Sequence, residues 1–178
     1  QKVGERLGQI LASQGFVLLQ QGSRSRQHLL KEFISGSKSV LLGTDSFWEG
    51  VDVVGDALRC VILVKLPFPS PSDPIAQARA EQMKQREQDP FMEDTLPRAI
   101  VKFKQGFGRL IRSRYDRGAI LCLDTRLLTK PYGKRFLSSL PPCQTVFMPQ
   151  EELFPRMQAF YRATEHFVSQ QKNRKNRL

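Results

Sequence analysis

The sequence predicts an α/β fold with a mainly parallel sheet. Apolar runs of four to seven residues alternate with helical patterns, which is how strand–helix–strand units read. The 178 residues and the 40% hydrophobic fraction suit one domain with its own core rather than a disordered chain.

Val3, Leu7, Ile10 and Leu11 recur at helical spacing and predict a helix over 3–13. Phe16 to Leu19 reads as a short buried strand. Ser23 or Ser25 can cap a helix running to about Phe33, with Leu29, Leu30 and Phe33 on one face. Val40 to Leu42 is the next strand, followed by a polar and aromatic turn from Thr44 to Gly55. Cys60 to Leu66 is a strongly apolar strand. The stretch 67–74 holds four prolines, so it is neither regular helix nor central strand. Helices are expected over 75–88 and 96–111, a strand over 119–123, and helical patterns over 131–139 and 151–170. Thr145–Met148 is a further candidate strand. From Lys172 to Leu178 the chain reads as a solvated basic tail, leaving 1–171 as the domain.

Twenty-eight Lys and Arg against 17 Asp and Glu give +11 and a pI near 10.0. A domain this basic meets a polyanion, or is simply kept soluble by its charge. No apolar run is long enough to span a membrane, so no membrane partner is expected. The three cysteines, Cys60, Cys122 and Cys143, are widely spaced and far from His28 and His166. Neither a disulfide framework nor a metal site is expected. Cys60 and Cys122 read as buried reduced thiols, which fits an intracellular protein.

Two segments carry chemistry. Residues 43–52, GTDSFWEGVD, directly follow a strand, where open α/β sheets bind ligands. Thr44 and Ser46 offer hydroxyls, Asp45, Glu49 and Asp52 offer carboxylates, and Gly50 permits close approach to the backbone. The plainer reading is a polar loop whose acids cap helices. Residues 105–112, QGFGRLIR, put Gln105, Arg109 and Arg112 on one face if all are helical. Such a face can grip a phosphate group, or can be a solvated basic surface. Two glycines in a helical pattern cost about 1 kcal/mol each against alanine, so they point to close packing or close ligand approach. No GxxxxGK[ST] loop and no acidic metal-binding box occurs. Alone, the chain lacks the parts that hold a β-phosphate and Mg²⁺.

Together these segments resemble the second RecA-like motor domain of superfamily 2 helicases. TDSFWEGVD matches motif V and QGFGRLIR matches motif VI. The SFWEGVD run, the KLPFPSPSDP stretch and the Asp116–Asp124 spacing resemble the DinG/XPD-like branch, over roughly residues 3–148. The resemblance implies a three-layer RecA-like domain with helices flanking the sheet. It makes Arg109 and Arg112 arginine fingers for the γ-phosphate, joined by Gln105. Gly50, Asp52 and Glu49 would sit by the nucleotide. Thr44, Ser46, Arg26, Ser25 and Gly22 would face single-stranded DNA, and Trp48 and Phe68 are candidates for stacking on bases. The implied cofactors are ATP and Mg²⁺, held mainly by a first RecA-like domain that this chain lacks. An iron–sulfur cluster is expected only outside it.

The family's first strand would precede Gln1. The chain thus reads as the C-terminal motor half of an ATP-dependent DNA helicase of 5′→3′ polarity, linked to DNA repair. It would be inactive alone, and would work in the cytoplasm, nucleoid or nucleus. The alternative is a nucleic-acid-binding or interaction module that keeps the fold without the motor.

Overall fold

The computed structural model describes the backbone of residues 2–44, 47, 53, 57–111 and 117–175, and the side chains of these from 4 to 164. Two compact units divide at residue 140. In the first, α1 (Lys2–Ser13) leads into β1 (Val17–Gln20), α2 (Arg26–Ser35) and β2 (Ser39–Leu42). The strand β3 (Cys60–Leu63), helix α3 (Pro74–Gln85), a five-residue π-helical turn (Phe91–Thr95) and α4 (Leu96–Leu110) follow. β4 (Ala119–Cys122), α5 (Arg126–Thr129) and α6 (Gly133–Ser138) complete the unit. In the second unit, α7 spans Gln150–Lys175.

Both described strand pairings are parallel, as the alternation predicts. β1 pairs with β2 with Val17 opposite Ser39, and β3 pairs with β4 with Cys60 opposite Ala119. Hydrogen bonding divides these strands into two pairs, each with its own apolar cluster. Leu19, Leu29, Phe33, Phe47 and Val53 pack the first. Leu63, Leu66, Leu96, Ala99, Phe103, Leu127 and Phe136 pack the second. Burial pushes the Cys122 thiol above its ordinary value, which keeps it protonated.

The choice between two caps resolves to Ser25, whose Oγ accepts from the His28 N–H at 3.3 Å. The Ser23 hydroxyl instead donates to the Gln20 carbonyl at 2.7 Å. Asp73 caps α3 through the Ile75 N–H at 2.9 Å, with Pro74 at the first helical position, where its missing N–H is harmless.

Four boundaries depart from expectation. β3 stops at Leu63 rather than Leu66, because the Leu66 N–H is taken at 2.8 Å by the Asp124 carboxylate. The pattern at 131–139 shortens to α6, and α5 forms ahead of it where no helix was expected. Residues 145–148 form no strand: Val146 and Phe147 are exposed and no described strand pairs with them. Helix, not irregular tail, continues to Lys175. Among the described residues no helix is long and apolar enough to cross a membrane.

Candidate functional site

Parallel pairing sets the carboxyl ends of β1 and β2 side by side. The 20–26 and 43–47 segments emerge there. The Gln21 N–H donates to the Leu42 carbonyl at 2.9 Å, extending the ladder by one residue. Its side chain then reaches across: Oε1 accepts from the Thr44 N–H at 2.8 Å and the Thr44 hydroxyl at 3.1 Å. Arg26 opens α2, and its Nη2 donates to the Phe47 carbonyl at 2.9 Å. The same guanidinium lies 5.4 Å from the centroid of the Phe47 ring, in cation–π range. Phe47 is itself buried in the first cluster.

Gly43 allows this closeness. A Cβ there would stand 3.0 Å from the Phe47 Cβ and 3.1 Å from the Gln21 Oε1. Gln21, Gly22, Arg24, Arg26, Leu29 and Phe47 line an open cleft of about 310 Å³. Its two arginines make it attractive to an anion. Arg24 is also bonded to Glu32 at 2.8 Å. Gly22 stands exposed with φ +91°, a conformation that favours glycine.

Of the residues expected to face nucleic acid, Gly22 and Arg26 line this cleft. Thr44 is tied to its wall through Gln21, and Ser25 caps the adjoining helix. Ser46, Glu49, Gly50, Asp52 and Arg112 lie outside the described residues, as do Asp45 and Trp48.

Helix α4 carries the second segment. Leu96, Ala99, Phe103, Gly106 and Leu110 form its buried stripe. Gln105 and Gly108 are exposed, and Arg109 is half-buried. Gly108 is three residues and Arg109 four residues beyond Gln105, so the three share a side of the helix. The two glycines differ in kind. Gly106 belongs to the packed stripe, whereas, its chain neighbours and its own helix backbone aside, no described atom lies within 4 Å of a Cβ placed at Gly108. The helix ends at Leu110, and Ile111 has left it with φ −115° and ψ 108°. Helical spacing therefore joins Gln105 to Arg109 within α4.

At the carboxyl ends of β3 and β4 sits a third, purely internal arrangement. The Asp124 carboxylate accepts from the Leu66 N–H at 2.8 Å, from the Arg126 N–H at 3.0 Å and from Arg126 Nη2 at 2.6 Å. These donors, the Arg126 guanidinium foremost, hold its carboxyl well below the usual range, at about 2. Arg126 in turn lies 5.3 Å from the centroid of the Phe68 ring. Phe68, a candidate for stacking on a base, has ring contacts with Phe91, Tyr132 and Phe136 at 5.9, 5.7 and 5.7 Å. Its ring is thus engaged within the protein.

A carboxyl depressed in the folded state contributes stability above its unfolded value of 3.8, and that contribution disappears as pH falls towards about 2. Asp124→Asn is expected to lower stability by about 1–2 kcal/mol at neutral pH. Urea unfolding followed from pH 7 to pH 2 checks this: the difference from wild type should vanish at the acid end. A difference independent of pH would contradict the assignment.

Sequence reasoning did not single out Gln21, Phe47 or Arg126. Gln21 precedes Gly22, Ser25 and Arg26 in the chain, but only a long-range contact reveals what it holds. Among the described residues no group of His, Cys, Asp or Glu could hold a metal ion.

The helicase C-terminal domain family matches residues 1–143. The chain is 50% identical over 134 residues to the ATP-dependent DNA helicase YoaA of Escherichia coli, covering 75% of this chain and 21% of that protein. It is 42% identical over 154 residues to the 3'-5' exonuclease DinG of Bacillus subtilis, covering 85% and 16%. It is 40% identical over 149 residues to the ATP-dependent DNA helicase DinG of Photobacterium profundum, covering 82% and 22%. The chain thus spans about a fifth of the length of these relatives.

Proposed function

We propose, from the premise that this chain belongs to the helicase C-terminal domain family, that it is the second motor half of a DinG-like ATP-dependent DNA helicase. In this reading 1–171 is the motor domain and 172–178 a basic extension. The 22–26 rim tracks the backbone of single-stranded DNA, and Gln105 and Arg109 face ATP held by the first motor domain. Arg112, with Glu49, Gly50 and Asp52, completes the nucleotide side; Thr44 and Ser46 complete the DNA side. Activity on DNA places the protein inside the cell.

The observation that carries the reading is Gly108. A mid-helix glycine costs about 1 kcal/mol against alanine, and packing against the described residues does not require one at that position. An approaching group from outside does. Gln105 and Arg109 flank the opening, an amide and a guanidinium suited to phosphate oxygens. These residues fit a γ-phosphate, while no described cluster fits Mg²⁺. When bound, ATP supplies the transferable phosphoryl group. Arg109 then places positive charge where negative charge develops on the equatorial oxygens, and Gln105 donates a hydrogen bond beside it.

The test uses Gly108→Ala. Thermal unfolding of this chain should show it stabilised by up to about 1 kcal/mol. In the full-length protein the same substitution should lower DNA-stimulated ATP hydrolysis by at least about tenfold, through a methyl group inserted where the phosphate must approach. Stabilisation with full ATPase activity would refute the nucleotide-facing assignment. A nucleic-acid-binding module without a motor would show salt-dependent single-strand binding and no hydrolysis with either glycine or alanine.

A further inference from the structure

We propose that Glu32 is an internal counter-ion of the cleft: its carboxylate holds Arg24 until a phosphate of single-stranded DNA takes its place. The inference rests on the reading that the 22–26 rim faces DNA, and adds to it a residue that sets how tightly the rim grips.

The exchange is built along the first turns of α2. Ser25 caps the helix by accepting from the His28 N–H, and Arg24, one residue before the cap, folds back along it. His28 and Glu32 are four residues apart and share a face of α2. Arg24 Nη1 donates to the Glu32 carboxylate at 2.8 Å and lies 3.3 Å from His28 Nε2. A guanidinium only donates, so this imidazole nitrogen accepts. One arginine nitrogen is thus shared between a carboxylate and an imidazole.

Arg24 also lines the open cleft, together with Arg26. The two arginines differ there. Arg26 is bonded to a neutral group, the Phe47 carbonyl, and keeps its charge for a ligand. Arg24 is bonded to an anion, which cancels its charge at short range. The cleft therefore offers a phosphate closer to one positive charge than two. Carboxylate and phosphate oxygens take a guanidinium in the same way, so they compete for it. The Arg24 and Glu32 side chains are 56% and 36% exposed, and an ion pair this open to water is weak enough to exchange. A protein that moves along a strand has to release each phosphate as well as hold it. Glu32 retakes the arginine at release, so stepping leaves no bare cation behind.

The experiment measures the affinity of the full-length protein for single-stranded oligo-dT, without nucleotide, by fluorescence anisotropy. Glu32→Gln keeps the length of the side chain and removes its charge. It is expected to raise affinity about two- to fivefold at low salt. Affinity should also fall more steeply with salt, by up to about 0.7 in the log–log slope, because Arg24 then exchanges a salt ion rather than a carboxylate for the phosphate. Arg24→Gln should lower affinity about two- to fivefold. In that background Glu32→Gln should gain clearly less than it gains beside Arg24, which is the coupling a double-mutant cycle reads.

Unchanged affinity in Glu32→Gln would overturn the proposal. So would lowered affinity, which would make Glu32 a residue that orients Arg24 for DNA instead of competing for it. An equal gain with and without Arg24 would also overturn it, since that marks only long-range repulsion between a carboxylate and DNA. Absence of oligo-dT binding by the wild type would refute the reading of the rim, and this proposal with it; that control tells the two failures apart.

Discussion

Arg109→Ala in the full-length protein is expected to lower DNA-stimulated ATP hydrolysis by about 10³-fold or more, while single-strand affinity stays within about threefold. The reason is geometric. Arg109 lies in the last turn of α4, one residue after the open position at Gly108 and one before the buried Leu110. The buried stripe anchors the helix that carries Arg109, and in the proposed reading this support presents the guanidinium to the nucleotide. Charge delivered this way stabilises the transition state without reorganisation at the moment of reaction. Arg109→Lys should not restore the rate, because a point charge lacks the planar fork that spans two phosphate oxygens. Arg112→Ala should be equally severe. The double variant should add little, because residues acting in one catalytic step lose that step once. Steady-state turnover with saturating oligo-dT checks each; near-normal turnover would remove the arginine-finger assignment.

The largest expected effect on stability is that of Phe136→Ala. Phe136 is fully buried in α6. Its ring meets Phe103 edge-on at 5.3 Å and Phe68 edge-on at 5.7 Å, with Tyr132 tilted at 6.3 Å. Deleting it removes contacts that hold α4, α6 and the exit of β3 together. Such deletions cost about 3–5 kcal/mol, a large part of the roughly 5–15 kcal/mol available to a domain. Equilibrium urea unfolding should show that loss, while Phe136→Leu, which refills much of the space, should lose about half as much. A loss below about 1 kcal/mol for Phe136→Ala would mean the aromatic cluster is not the centre of this core.

The elements were legible where local chemistry decides them. The helical spacing of Leu29 and Phe33, the capping serine at 25 and the prolines of 67–74 each act within a few residues, and each produced the expected structure. Boundaries failed where a distant partner decides. β3 ends early because a carboxylate 58 positions away takes the Leu66 N–H. Thr145–Met148 has strand-like side chains but no described strand beside it, and a strand exists only by pairing. The expected helix over 96–111 ends one residue sooner, at Leu110, with Ile111 extended. Family resemblance located the two segments, and the structure supplies what neither composition nor motif spelling contains. Gln21 and Arg26 hold Thr44 and Phe47 through contacts that span 23 and 21 residues.

The open position at Gly108 also bears on how such a domain would respond to selection in the laboratory. A library screened only for heat resistance or soluble yield would enrich alanine there, since nothing among the described residues opposes it. The best survivors of that screen would be sturdier proteins with a blunted motor. Conversely, a glycine that makes its own fold less stable, with no packing reason among the described residues, is a usable marker of where a second body would fit. In the proposed reading it marks one side of α4.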